Sequence, residues 1–230
     1  YSAQRNYTEE DRFQFREGTN QSLYRDYYYA AQDFKTVITL NTNPATKVTN
    51  AVYGNNDNQI AAARVMLAYT FLQLTDAYGD VPYYSYGSKD PDFQALQLSE
   101  GILKPKFASQ VKIYADLMKE LKEAAAMVVT SEPVFTNGDN LFHGDAEKLL
   151  KFANSLRLRI ANRVKGVVPG AEAHILEAIA GGVMTSNDDN VGVTYEANDV
   201  NPSPFYRNFW IANRTDFAIA NTFVDLLKGE

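Results

Sequence analysis

Between Asp57 and Tyr86 the chain reads DNQIAAARVMLAYTFLQLTDAYGDVPYYSY, and this stretch constrains the fold more than any other. From Ile60 to Ala77 the apolar residues Ile60, Ala63, Val65, Met66, Leu67, Phe71, Leu72 and Leu74 fall on every side of a helical wheel. A helix that is apolar all round needs cover on every side, so it has to lie inside a domain. Asp57 or Asn58 supplies an N-cap, Gly79 takes the left-handed position just past the end, and Pro82 keeps the helix from resuming. A helix of about 20 residues rises about 30 Å, enough to cross a small domain. Arg64, Gln73 and Asp76 interrupt it, so no run approaches the roughly 18 uninterrupted apolar residues of a membrane span.

Around this element five more helices can be drawn with no proline inside any of them and glycine only at their ends. The first runs over 19–41, with Leu23, Tyr27, Ala30, Phe34 and Ile38 at helical spacing. Before it, 1–18 is polar and aromatic and reads as the end of a helix followed by a loop; after it, TNPATKVTNAVYGNN at 42–56 reads as a turn-rich connection, closing a helical hairpin. A long loop over 83–106 follows Pro82 and is either functional or tied down by its aromatics Tyr83, Tyr84 and Tyr86. The spacing then predicts a helix over 109–129 with Val111, Tyr114, Leu117, Met118, Leu121, Ala125 and Val128 inward and Lys112, Asp116, Lys119 and Glu123 solvated. Another is capped by Asp145 and carries Leu149, Phe152, Ala153, Leu156, Ile160 and Val164; a shorter one spans 171–180 and stops at Gly181-Gly182. Val191, Val193 and Tyr195 alternate like a short strand, and a last helix begins at Thr215 with Phe217, Ala220, Val224 and Leu227 inward. Paired helices with short turns predict a mostly α fold of stacked hairpins.

Charge and chemistry narrow the function. With 28 acidic against 22 basic residues, net −6, the chain lacks the basic face that nucleic acid demands. Having no cysteine, it can hold neither a disulfide nor a thiolate metal site, and cofactors are not called for: no phosphate-cradling glycine loop, nucleophile elbow or zinc pattern occurs. Asp76 and Asp80 flank the turn after the organising helix and could be pictured as an acid and base pair, but Asp80 sits where a carboxylate accepts backbone N–H groups of its turn. Asp188, Asp189 and Asn190 carry oxygen ligands without the spacing of a calcium loop, and His143 and His174 have no partner at metal or triad spacing. Catalytic and metal residues are therefore not assigned. Among Arg157, Arg159 and Arg163, at least one is expected to form an ion pair with a neighbouring helix.

The strongest candidate for ligand contact is NPSPFYRNFWIANR at 201–214. Two prolines break regular structure, and Phe205, Tyr206, Phe209 and the single tryptophan, Trp210, then alternate with Arg207, Asn208, Asn213 and Arg214. Flat rings on a loop beside amide and guanidinium donors suit sugars, since a ring stacks on the apolar face of a pyranose while the donors take its hydroxyls. The candidate ligand-binding residues are Trp210, Tyr206, Arg207, Asn208 and Asn213; the competing reading is that the rings seal a helical core.

LTDAYGDVPYYSY also resembles the hallmark of the SusD/RagB family of outer-membrane surface lipoproteins, in which a long buried helix ends in a tyrosine-Gly-Asp-Val-Pro-tyrosine turn. PKFASQVKIYADLMKELKEAAAM, GDAEKLLKFANSLRLRIANRV and MTSNDDN agree with it in the same order. The resemblance implies tetratricopeptide-like helical hairpins with long aromatic-rich loops; the sequence's own echo of that repeat is only Ala30 and Phe34. Family members are longer, so 1–230 is expected to be a single SusD-like α-helical domain, a fragment lacking the family's N-terminal lipidation segment and C-terminal half. The implied function is non-catalytic capture of oligosaccharides at the cell surface for import through a SusC-like TonB-dependent transporter, with membrane contact through a lipid anchor only. The alternatives are a peptide-binding member of the same family and a helical-repeat scaffold with no small-molecule site. One face of the hairpins, including the 83–86 loop, is expected to be exposed for that partner.

Overall fold

The computed structural model of the chain describes residues 2–4, 16–215 and 217–229. These fall in two compact units, 22–192 and 1–21 with 193–230, which are taken in turn.

In the larger unit the organising helix is α3 (Asn56–Tyr78), preceded by α1 (Glu17–Thr42) and α2 (Pro44–Asn50) and followed by α4 (Gln110–Met127), α5 (Ala146–Val164) and α6 (Ala171–Ala180). Successive helices pack in order, α3 on α4, α4 on α5 and α5 on α6, which is the mostly α hairpin stack that the sequence predicts. α3 is buried all round: Ile60, Ala61, Ala63, Val65, Leu67, Phe71, Leu72 and Leu74 all lie in one core with Leu117, Leu121, Leu149 and Ile160. Its cap is Asn55, whose side chain accepts from the N–H groups of Asp57 at 2.9 Å and Asn58 at 3.2 Å. Asn58, one of the expected caps, is occupied otherwise, donating to the carbonyls of Val129 at 2.9 Å and Glu132 at 2.8 Å and accepting from Val129 N–H at 2.7 Å.

Gly79 does end α3, with φ 75° and ψ −121°. The positive φ is the one predicted, yet ψ is not that of a left-handed helix, so the chain leaves in an extended direction. Thr75 fixes the exit by donating its hydroxyl to the Gly79 carbonyl at 2.7 Å. The connection after α1 is more regular than predicted: Asn43 accepts from Ala45 N–H at 3.0 Å, Pro44 occupies the first turn where its missing N–H costs nothing, and α2 follows.

The buried face of α4 is Ile113, Asp116, Leu117, Met118, Glu120, Leu121 and Ala124. This corrects the predicted stripe: Val111 is exposed, and Asp116, taken there as solvated, is inside. Ser109 precedes α4 without a side-chain cap bond; Asp80 caps it from a distance, accepting Gln110 N–H at 2.8 Å. Asp80 is thus structural as expected, but for the next helix rather than its own turn. Asp145 caps α5 as predicted, accepting Lys148 N–H at 3.0 Å, and α6 has the predicted bounds. No strand forms at Val191; Ser186 instead caps a 3-10 turn at Asn187–Asp189.

The smaller unit holds β1 (Ser2–Gln4) paired antiparallel with β2 (Phe217–Ile219), in register Ser2 to Ile219 and Gln4 to Phe217. It also holds a short α7 (Pro204–Tyr206) and α8 (Asn221–Lys228). Two expectations are corrected here. The chain start is a strand rather than a helix end at Ser2–Gln4, most of 1–18 lying outside the described residues, and the last helix begins at Asn221 because 217–219 is recruited as a strand; Leu227 is exposed.

Candidate ligand-binding surfaces

In the smaller unit the stretch 201–214 is a helical turn, where a loop was expected. Ser203 accepts Tyr206 N–H at 3.1 Å and Pro204 sits in the first turn of α7, which opens into a wider π turn at Arg207–Ile211 closed by Ala212 N–H on the Arg207 carbonyl at 2.9 Å. Helical spacing pairs rings four residues apart. Tyr206 and Trp210 stack with centroids 6.3 Å apart at 26°, and Phe205 and Phe209 with centroids 6.1 Å apart at 4°. Trp210 is 73% exposed, so it does not seal a core, and Tyr206 is half-buried beneath it. Arg207 and Asn213 are exposed and Asn208 half-buried; Asn213 has φ 49°, a turn conformation that asparagine tolerates. Positions 207 and 208 follow Tyr206 by one and two residues, which on a helix turns them away from the 206–210 face. The five predicted residues therefore share one turn, but only Tyr206 and Trp210 form a common platform, a paired aromatic shelf of the kind that takes the apolar face of a sugar ring.

The larger unit presents a second surface built on a buried ionic network. Arg64 of α3 donates from Nε to Glu120 at 3.1 Å and from Nη2 to Glu123 at 2.7 Å, and its guanidinium lies 4.8 Å from the centroid of the Tyr86 ring. Burial opposes the Arg64 charge, yet the bonds and charges of Glu120 and Glu123 hold its pKa above the ordinary value. Glu120 also accepts from the Ser85 hydroxyl at 3.1 Å and Gly87 N–H at 2.7 Å, and Tyr83 donates to Asp116 at 2.9 Å. Burial first, then the Asp116 and Glu120 charges, push the Tyr83 phenol up, and burial raises Asp116. A chain of edge-to-face rings, Phe71 to Tyr83 at 4.9 Å and Tyr83 to Phe93 at 4.7 Å, completes the anchor.

So the long loop is tied down by its aromatics at Tyr83, which is buried, and of the 83–86 stretch expected on the exposed face only Tyr86 is exposed. Beyond that anchor Tyr84 and Tyr86 reach a polar pocket of about 440 Å³ lined also by Lys35, Phe93, Gln94 and Gln97. Lys35 lies 5.0 Å from the Tyr84 ring centroid, and burial with the Glu120 charge pushes the Tyr84 phenol up to about 12. Sequence spacing did not find this pocket, because its walls come from α1 and from 84–102 and only the fold joins them.

The remaining candidate groups are committed elsewhere. Asp76 accepts from Tyr114 at 2.5 Å and pairs with Arg163, and Asp80 caps α4. Asp189 pairs with Lys151 at 2.7 Å and accepts Thr185 N–H at 2.8 Å, which lowers its pKa to about 2. Arg157 lies 3.6 Å from Glu177, so two of the three arginines of α5 pair with neighbouring helices, as anticipated. Among the described residues no group of three or more histidine, aspartate and glutamate side chains could hold a metal, and no helix is long and apolar enough to cross a membrane.

Set beside known proteins, residues 1–229 match the SusD-like family model described as "Starch-binding associating with outer membrane". A solved chitin-binding protein is 26% identical, with TM-score 0.68 over 94% of this chain and 42% of its own. A SusD homologue of Parabacteroides distasonis is 25% identical, with TM-score 0.68 over 87% of this chain and 36% of its own. A SusD homologue of Bacteroides fragilis shares the fold, with TM-score 0.72 at 20% identity over 99% of this chain and 44% of its own. The chain thus spans well under half the length of these relatives. No curated protein matches it.

Proposed function

The chain belongs to the SusD-like family, and from that premise we propose that it is part of a cell-surface protein that binds oligosaccharides released from a polysaccharide and passes them to a SusC-like TonB-dependent transporter. The family is in general one of non-catalytic binding proteins associated with the outer membrane. The glycan is the finer step, and the observation that carries it is the Tyr206–Trp210 stack, with Trp210 exposed and Tyr206 half-buried. A pyranose lying on the indole hides an apolar face from water, and the shelf alone supplies that stacking, since Arg207 and Asn208 turn away from it. That a relative of 26% identity is named a chitin-binding protein, and that the family model is described as starch-binding, supports an oligosaccharide over a peptide. A lipid anchor on the extracellular face and delivery to the transporter complete the proposal.

The test is calorimetric titration of the chain with chitin and starch oligosaccharides, with Trp210→Ala beside it. Covering about 150–250 Å² of ring at about 25 cal/mol/Å² sets an upper limit of roughly 4–6 kcal/mol. We expect at least a tenfold loss of affinity and an unchanged melting temperature. Equal affinity in the variant would remove Trp210 from the site, and binding of peptides but of no oligosaccharide would replace the ligand class. Hydrolysis of the titrant that disappears in Asp76→Asn or Asp80→Asn would overturn the non-catalytic reading.

A further inference from the structure

The seam of α4, α5 and α6, within the larger unit, contains a pocket of about 460 Å³ that is separate from both surfaces described above. Its walls are Ala125, Ala126, Leu150 and Ala180, with Arg157 and the Lys122–Glu177 pair as its charged groups. Arg157 is a wall residue with a side chain only 4% exposed. A guanidinium has five N–H donors in a planar fork, and buried donors of this kind are paired in nearly all folded proteins. Here, among the described residues, the Nε of Arg157 meets no acceptor, and its counter-charge is Glu177 at 3.6 Å, beyond hydrogen-bond length. Glu177 is itself engaged by Lys122 at 2.8 Å.

The charges that face this seam are therefore two cations, Arg157 and Lys122, and one anion, Glu177. His174 of α6 adds a second buried nitrogen, Nδ1, with no hydrogen-bond partner among the described residues. Burial and the neighbouring Arg157 charge lower its pKa, which keeps the ring neutral and leaves one positive charge in excess. The volume falls within the range of small-molecule sites, and the alanine and leucine walls offer apolar area beside the charge. A guanidinium fork pairs bidentately with two oxygens of a carboxylate as it does with those of a tetrahedral oxyanion, and one surplus charge favours a monoanionic carboxylate over a dianion such as sulfate.

We propose that the pocket between α4, α5 and α6 is a binding site for a small monocarboxylate, held by the Arg157 guanidinium with Lys122 alongside. This site is distinct from the aromatic shelf at Tyr206 and Trp210 and does not depend on the glycan reading. Its ligand is an organic acid with a short body, for which D-glucuronate and acetate serve as probes and D-glucose and sulfate as controls.

The experiment follows the Arg157 Nε–H resonance of the chain by NMR while each probe is added, and repeats the titration by calorimetry on Arg157→Met, which removes the charge and keeps the apolar stem. The expected result is saturable shifts of Arg157 Nε–H with glucuronate and acetate, competition between the two, no shift with glucose, and at least a tenfold loss of glucuronate affinity in Arg157→Met. The NMR arm uses the unaltered chain, so a variant that failed to fold would still leave the proposal exposed to test. No shift with either carboxylate, equal shifts with glucose, sulfate binding as tightly as glucuronate, or unchanged affinity in a folded Arg157→Met would each overturn it. Failure at Trp210 with retained carboxylate binding here would count against the shelf alone.

Discussion

Arg64 and Arg157 are equally buried, each side chain 4% exposed, yet their surroundings are opposite. Arg64 has Glu120 at 3.1 Å, Glu123 at 2.7 Å and the face of Tyr86, and through Glu120 it fixes Ser85 and Gly87 of the loop after α3. Arg157 has Glu177 at 3.6 Å and an Nε with no acceptor. Accordingly the pKa of Arg64 is held up by its partners, whereas burial drives that of Arg157 down against the single opposing charge of Glu177. A buried charge that is fully bonded organises the fold around it. One that is incompletely bonded costs stability.

The contrast breaks most visibly at the acceptor of the closed network. Glu120→Ala removes the partner of Arg64 Nε, the Ser85 hydroxyl and Gly87 N–H at once. Leaving these three donors without that acceptor and removing the buried one of the two Arg64 counter-charges costs on the order of 3–5 kcal/mol. Urea denaturation is expected to show a loss of that size, and a loss below 1 kcal/mol would mean that the network is incidental.

A smaller effect sharpens how closely the loop is held. A Cβ on Gly87 would stand 2.4 Å from a Glu123 oxygen and 2.6 Å from a Glu120 oxygen. Both carboxylates are bonded to Arg64, Glu120 buried and Glu123 part-exposed, so Gly87→Ala is expected to destabilise by about 1–3 kcal/mol. Pairing it with Glu120→Ala in a double-mutant cycle should recover part of that loss, since one of the two clashing oxygens is then gone while that of Glu123 stays.

At the open site the sign changes. Arg157→Met replaces a poorly bonded buried cation by an apolar stem of similar length, and such replacements are neutral or stabilising. The expected change in unfolding free energy is within about 1 kcal/mol of zero or favourable, against the several kcal/mol at Glu120. A loss as large as that at Glu120 would place Arg157 in the same structural class as Arg64 and dissolve the contrast.

The residues also show which kinds of information a linear sequence holds. α3 is legible because apolarity on all sides has one physical solution, and its end is legible because Gly79 is followed by Pro82; φ of 75° at Gly79 follows from local chemistry. The α4 face is misread because Asp116 looks like part of a solvated stripe until Tyr83 arrives from far along the chain. β2 is misread for the same reason: 217–219 has helical spacing, and pairing with Ser2–Gln4 is a long-range contact that periodicity does not encode. The aromatic shelf is half legible. Residue types at 205–214 announce stacking chemistry, but which rings share a face depends on the helical turn that Ser203 and Pro204 start, and the prolines had been read as breaking regular structure.

The most direct measurement of the glycan-binding account uses the fact that Trp210 is the only tryptophan in the chain. Its emission therefore reports one position, 73% exposed in the free protein. Titration with chitin and starch oligosaccharides should begin from a red, strongly acrylamide-quenched emission and move saturably to the blue with reduced quenching, as a sugar ring displaces water from the indole. Emission already blue and protected in the free chain, or unchanged while calorimetry shows the oligosaccharide bound, would contradict the account.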